Sequence, residues 1–457
     1  MGKIENKINY KLPSGFDVEL LPEEKRLELH VIDTIRNVFE QYGFTPIETP
    51  AVERLEVLQA KGNQGDNIIY SINPIIESDS EQATTESRGL KFDQTVPLSA
   101  YIARHLNDLA FPFARYQMDT VFRGERAKKG RYRQFRQCDI DVVGRGKLSL
   151  LYDAQIPAII AQIFESLQIG KFLIRISNRK ILTGFFRAIG VAEDEIRSCI
   201  KIIDILEKAG EEKVTANLRE KGISGDLIRE IVGFVKINGS NDDILGKLDS
   251  ISRGIENSRE FSTGISELAE VINSVRALGV SEDKFCIDLS IARGLEYYTG
   301  TVYETTLIGY ETLGSICSGG RYEDLIGTFV GEKMPGVGIS IGLTRLIRQL
   351  LDAKVLKPMA ASPAQVMVVN LQSDLIDVYL KVSQRLRKSG INVLTGFETR
   401  SLGKQLQYAD KLGILLCVII GSDEYTTGMC SIKTLETGEQ VSVLLDDLTE
   451  EVMKRLE

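Results

Sequence analysis

The sequence predicts an α+β fold, with a mainly antiparallel sheet interrupted by a helical insertion and followed by a small, separate α/β domain. Three observations predict it. Two neighbouring stretches, Arg115 to Glu125 and Arg131 to Val143, alternate with the period of strands and flank Lys128, Lys129 and Gly130 as a hairpin would. Between about residues 185 and 278 the texture changes to short apolar-periodic segments such as EIRSCIKIIDILEK and DLIREIVGFVK, parted by glycine-containing breaks. Beyond DAKVLKPMAASPAQ, whose Ala, Ser and Pro suit a linker, VMVVNL, INVLT and LLCVIIG alternate with helical stretches.

In chain order, residues 23–41 place Leu27, Val31, Ile35, Val38 and Phe39 near helical spacing with charges between them. YGFTPIETP follows, so an amphipathic helix should run into an extended edge. After the hairpin and the insertion, CIDLSIA and TVYETTL read as strands, and GVGISIGLTRLIRQLL reads as a strand with a glycine turn into a helix. In the tail, DLIDVYLKVSQRLRKS and GKQLQYADKL are helical, and CSIKTL and QVSVLL are two more strands before a last helix. The expected division is 1–184 and 279–352 for the two halves of the main domain, 185–278 for the insertion and 365–457 for the tail domain.

Composition narrows the class. The chain has 457 residues, 43% of them hydrophobic, enough for several domains with their own cores. There is no apolar run of about 18 residues, and MGKIENKINYKLPSGF lacks the apolar segment of a signal peptide, so a cytoplasmic protein without membrane contact is expected. The six cysteines are scattered with no CxxC pair, and His30 and His105 are the two histidines. Neither a disulfide framework nor a zinc site is expected. A net charge of -8 argues against bulk nucleic-acid binding. It leaves room for a local basic groove, because screening confines a charge's field to about 10 Å.

Such a concentration of cations exists. Seven of the sixteen residues from Phe122 to Gln137 are Arg or Lys. Strand parity puts Tyr132, Cys138, Ile140 and Val142 on one face of the second strand and Arg133, Phe135, Gln137, Asp139 and Asp141 on the other. In the first strand Tyr116, Met118 and Phe122 share the apolar face, and Arg115, Gln117, Asp119, Arg123 and Glu125 the polar one. A face with guanidinium groups for phosphate, a ring for a base, and amide and carboxylate acceptors for an amine is equipped for a nucleotide beside a cationic small molecule.

These residues sit in motifs that resemble those of the class II histidyl-tRNA synthetases, and the resemblance covers nearly the whole chain. FRGERAKKGRYRQF is similar to class II motif 2, GVGISIGLTRL to motif 3 and EQYGFTPIETPAVERLEVL to motif 1. IARGLEYYTGTVYE and CSGGRYEDLIG resemble the two peptides peculiar to the histidine enzymes, and FDQTVP resembles an amino-acid-binding segment. All occur in the family's order. The resemblance implies a class II antiparallel-sheet catalytic core and a C-terminal anticodon-binding domain. It implies histidine, ATP and a tRNA as ligands, magnesium arriving with ATP, no resident metal, and a homodimer built on motif 1.

It also implies roles. Arg123, Arg293 and Arg345 would be catalytic, the first two at the α-phosphate and the substrate carboxylate, the third on the γ-phosphate. Glu125, Arg131 and Phe135 would seat ATP together with Arg123 and Arg345, Phe135 by stacking on adenine. Asp93, Thr95 and Gln137 would receive the α-amino group of histidine, and Asp141 and Tyr298 the imidazole, with Tyr297 beside them. Thr344, Lys91 and Glu296 depart from the family's usual Glu, Arg and Asp. The alternative is a histidine-sensing regulatory subunit similar to that of ATP phosphoribosyltransferase. Such paralogues typically lose catalytic arginines and the anticodon-binding domain, whereas Arg123, Arg293, Arg345 and a C-terminal α/β domain are all present here.

Overall fold

The computed structural model describes residues 10–60, 68–73, 86–126, 131–255, 259–291, 297–323, 325–398 and 400–456. The hairpin tip at 128–130, together with Arg293 and Glu296, lies outside them. The chain divides into two compact units, Met1–Val18 with Val31–Leu356 and Glu19–His30 with Lys357–Glu457.

The first unit is built on eight strands: β1 Thr45–Pro46, β2 Phe113–Phe122, β3 Gln134–Val143, β4 Phe172–Asn178, β5 Phe285–Ile287, β6 Tyr298–Leu307, β7 Cys317–Tyr322 and β8 Gly336–Ile341. They pair in the order β1-β2-β3-β8-β7-β6-β4-β5. The outer pairs β1/β2 and β4/β5 are parallel and the rest antiparallel. The expected edge after the first helix is β1, and that helix, Pro22–Gln41, buries Leu27, Val31, Ile35, Val38 and Phe39 as its spacing requires. Both hairpin strands are shorter than expected at the tip end, and of CIDLSIA only Cys286 and Ile287 lie in a strand, β5.

A second sheet, Val52–Arg54, Arg88–Leu90 and Ser71–Ile72, was not expected. Strands of two or three residues are too short to display a period of two. The helices after β4 pack closely where glycines allow it. A Cβ on Gly184 would lie 2.5 Å from the Phe261 nitrogen, and one on Gly264 2.8 Å from that of Ile181, so Arg179–Ala188 and Arg259–Ala277 meet backbone to backbone.

The second unit holds β9 Val366–Val368, β10 Val393–Thr395, β11 Leu416–Ile419, β12 Met429–Thr434 and β13 Gln440–Leu444, ordered β10-β9-β11-β12-β13. Pairings around β9 are parallel and the last two antiparallel. Helices Ile376–Lys388, Leu402–Lys411 and Leu448–Leu456 and the short helix Ser422–Thr426 accompany them. Residues 19–30 belong here through Arg26, which donates to the carbonyls of Ala360 and, at 2.6 Å, Ser362, and through the Met359 N–H, 3.2 Å from the Glu23 carbonyl. Among the described residues, no helix is long and apolar enough to cross a membrane.

Candidate active site

The face of β3 that carries Gln137, Asp139 and Asp141 lies under a cavity of about 560 Å³ in the first unit. The opposite face, Cys138, Ile140 and Val142, is core. Parity therefore divides the strand as its sequence indicates, but the polar side is enclosed, with Gln137, Asp139 and Asp141 each buried. Strand register sets what they meet. Asp141 lies across from Arg115 on β2 and Gly338 on β8, and Asp139 across from Gln117 and Ser340.

Asp141 is held on both oxygens. Arg115, itself fully buried, donates to Oδ2, and the Tyr322 hydroxyl donates to Oδ1 at 3.0 Å. Burial pushes the Asp141 pKa up, and the Arg115 charge and the Tyr322 hydrogen bond oppose it. Sequence parity marks Arg115 only as one polar-face residue among several. Its position opposite Asp141 in the hairpin register was the available signal. Tyr322 lies in CSGGRYEDLIG, but no role for it was readable from sequence.

The glycines of the site have a steric reason. A Cβ on Gly338 would come within 2.2 Å of the Ile140 carbonyl and 2.3 Å of Asp141 Oδ1. One on Gly319 would meet the Gly338 carbonyl at 2.1 Å, and one on Gly320 the Thr301 carbonyl at 2.7 Å. Close approach of β7, β8 and the Asp141 carboxylate requires their absence.

At the other end of the cavity, Arg123 donates to the Phe92 carbonyl at 3.1 Å and lies over the Phe135 ring, 5.1 Å from its centroid. Arg345 rises from the helix Leu343–Asp352 and donates to the Leu313 carbonyl. Asp93 accepts from the Val96 N–H at 3.1 Å, which starts the helix Thr95–Arg104 beside the cleft. Burial raises its pKa to about 6, and that of Asp139 to about 7. The phenols of Tyr297 and Tyr298 are likewise pushed up, chiefly by burial, and Tyr297 is hydrogen-bonded to Thr95 and to Tyr298.

The cavity thus brings together Asp93, Thr95, Arg123, Glu125, Arg131, Phe135, Gln137, Asp141, Tyr297, Tyr298 and Arg345. Of the expected site residues only Arg293 falls outside the described residues. Two departures have structural partners. The Thr344 hydroxyl accepts from the Arg136 N–H at 2.9 Å, joining the start of its helix to β3. Lys91 is fully buried, donates to the Thr49 carbonyl at 2.9 Å and pairs with Asp119.

A cleft of this chemistry on a mostly antiparallel sheet, in a chain with a separate α/β unit, defines an aminoacyl-tRNA synthetase. The family described as histidyl-tRNA synthetase matches residues 17–346, and the anticodon-binding domain family matches residues 365–455. The chain belongs to the histidyl-tRNA synthetase family. Among curated relatives, it is 65% identical to a histidine–tRNA ligase of Nostoc sp. PCC 7120 over 99% of both chains. It is 42% identical to one of Xanthomonas oryzae pv. oryzae over 98% of both. Among solved structures, the histidyl-tRNA synthetase from Nostoc sp. PCC 7120 superposes with a TM-score of 0.90 at 64% identity, covering 98% of this chain and 100% of that one. An ATP phosphoribosyltransferase regulatory subunit/histidyl-tRNA synthetase from Bacillus halodurans C shares the fold at 16% identity, with a TM-score of 0.71 over 88% of this chain and 97% of that one.

Proposed function

We propose that the chain activates histidine with ATP to histidyl-adenylate, releasing pyrophosphate, and then transfers the histidyl group to the 3'-terminal ribose of its tRNA. The observation that carries this reading is that acceptors for an amino acid and arginines for a triphosphate share one enclosed cavity. Asp93, Thr95 and Gln137 take the α-amino group, and Asp141 accepts from one imidazole nitrogen while Tyr298 meets the other, with Tyr297 supporting it. A neutral imidazole presents one donor and one acceptor, so a fixed carboxylate and an adaptable hydroxyl are complementary to it.

The histidine carboxylate attacks the α-phosphorus as pyrophosphate leaves. One anion approaches another, so the step needs positive charge already in place, which Arg123 supplies at the α-phosphate and Arg345 at the γ-phosphate. By its position in the ARGLEYY peptide, Arg293 takes the same part as Arg123. Phe135 presents the ring face not covered by Arg123 to adenine, Glu125 and Arg131 flank the nucleotide, and ATP enters as its magnesium complex. The segment 365–455 reads the anticodon, and residues 40–58 form the interface of a homodimer working in the cytoplasm.

The decisive experiment is pyrophosphate exchange into ATP by the purified protein. Exchange is expected with histidine and with no other amino acid. A folded protein that binds histidine but exchanges nothing would support the regulatory reading instead.

A further inference from the structure

Three buried acceptor oxygens of the cleft have no hydrogen-bond partner among the described residues: Asp93 Oδ2, Gln137 Oε1 and Asp139 Oδ1. Their residues line one cavity and are 3, 8 and 3% exposed, so bulk water does not reach them freely. Buried acceptors left unmade are costly and call for an explanation at each site. All three are acceptors and two are carboxylate oxygens, so their complement is a compact cation with several N–H donors. A primary ammonium group has three donors and no acceptor.

Thr95 is not among the unpaired acceptors, because its hydroxyl already bonds the Tyr297 phenol. Asp141 is also committed, to Arg115 and Tyr322. Asp139 is not. Ser340, its neighbour across β8, accepts from Gln137 Nε2 at 2.6 Å and bonds one Asp139 oxygen, leaving the other unpaired.

We propose that Asp139 is a further substrate-binding residue, whose Oδ1 takes one N–H of the amino acid's α-ammonium group beside Asp93 and Gln137. The inference rests on the reading of the cleft as a histidine site. The electrostatics of the ligand-free cleft agree with it. Burial, followed by the opposing charge of Arg115 from β2 and the like charges of Asp141 and of Asp93 from the 91–94 loop, leaves Asp139 with a pKa of about 7. Tyr298 on β6 and Cys317 on β7 also feel its charge. An arriving ammonium favours the ionised carboxyl, so binding expels a proton from the fraction of Asp139 that carries one. Affinity therefore rises with pH through neutrality.

The test is calorimetric titration of the full chain without ATP, using histidine, histamine and imidazolepropionate as probes. The first two carry the ammonium group and the third lacks it. Asp139→Asn and Asp139→Ser should each weaken histidine and histamine about tenfold or more, the size of one charge-assisted hydrogen bond. Imidazolepropionate should bind nearly as before, which also reports an intact fold. Between about pH 6 and pH 8, wild-type affinity for histidine should rise more than that of Asp139→Asn, and the ring's own titration near pH 6.5, common to the probes, cancels in the comparison. Equal weakening of all three probes, or of none, would overturn the assignment of Asp139. Absence of histidine binding by the wild type would overturn the reading of the cleft itself.

Discussion

Arg115 and Asp141 face each other across the hairpin of β2 and β3, wholly enclosed, and the guanidinium grips the carboxylate that lines the cleft. The pair fixes which way the Asp141 lone pairs point before any ligand arrives. Such preorganisation comes at a cost in desolvation, so the pair serves geometry more than stability.

Arg115→Leu should therefore lower the unfolding free energy by about 3–5 kcal/mol, because it strands a buried carboxylate. Arg115→Leu with Asp141→Leu should recover much of that loss while histidine binding stays absent. Urea unfolding of the two proteins checks the first statement and calorimetry the second. A double variant no more stable than the single one would mean that the pair is needed for folding itself.

Gly338→Ala should separate the two substrates. The added Cβ would strike the Ile140 carbonyl and Asp141 Oδ1, so β3 and β8 must part at the Asp141 carboxylate, the acceptor proposed for the imidazole. Overpacking of this kind costs about 1–3 kcal/mol. The Michaelis constant for histidine in pyrophosphate exchange should rise several-fold while that for ATP changes little.

Lys91→Met tests whether a departure from the family's usual arginine touches the chemistry. Lys91 does not line the cleft, and its partner Asp119 is one-third exposed, so water can replace the lost ion pair in part. A stability loss of about 1–3 kcal/mol is expected, with the Michaelis constants for histidine and ATP unchanged. A fall in exchange rate at full occupancy of folded protein would show that Lys91 acts on the reaction.

The ligand-free protein should lose stability as pH rises through neutrality at this site. Asp93 and Asp139 have native pKa values of about 6 and about 7, raised from 3.8. The native state thus holds more protons than the unfolded chain between about pH 4 and pH 7. Their stabilising contribution is full below the unfolded value and is lost as pH climbs through the native ones. Asp119 works in the opposite sense. Burial raises its pKa, but the hydrogen bonds and charge around it, Lys91 foremost, bring it below the ordinary value, so its contribution is lost as the solution is acidified. The Tm difference between Asp139→Asn and wild type should become more favourable to the variant from about pH 5 to pH 8. A difference that does not change with pH would place the Asp139 carboxyl in an ordinary, solvated environment.

Much of the frame was legible in the sequence because it depends on period. The alternation from Gln134 to Val143 and the apolar spacing from Leu27 to Phe39 each report which side is buried. Motif order brought nearly all the expected side chains to one cavity. What period does not report is how a polar face is covered. Parity marks the face with Gln137, Asp139 and Asp141 as polar, but its enclosure comes from Asp93, Tyr297, Tyr298 and Tyr322, which line the same cavity from other parts of the chain. Those elements are far apart in the chain. The bond from Tyr322 to Asp141 joins such distant residues and has no local signature, whereas Arg115 meets Asp141 through the hairpin register.

The hydrogen bonds of Arg26 have a consequence for how the chain is made. Its acceptor at Ala360 is encoded 334 residues later. During synthesis at about 5–20 residues per second, the segment 19–30 leaves the ribosome roughly 20 to 70 s before its partners exist. The first unit, whose central β8 ends at Ile341, can close only shortly before those partners appear. The second cannot be completed until its late strands emerge, and the early segment spends that time with exposed Leu27 and unpaired Arg26. Chaperones that bind apolar nascent segments would find one here, held open by chain order alone.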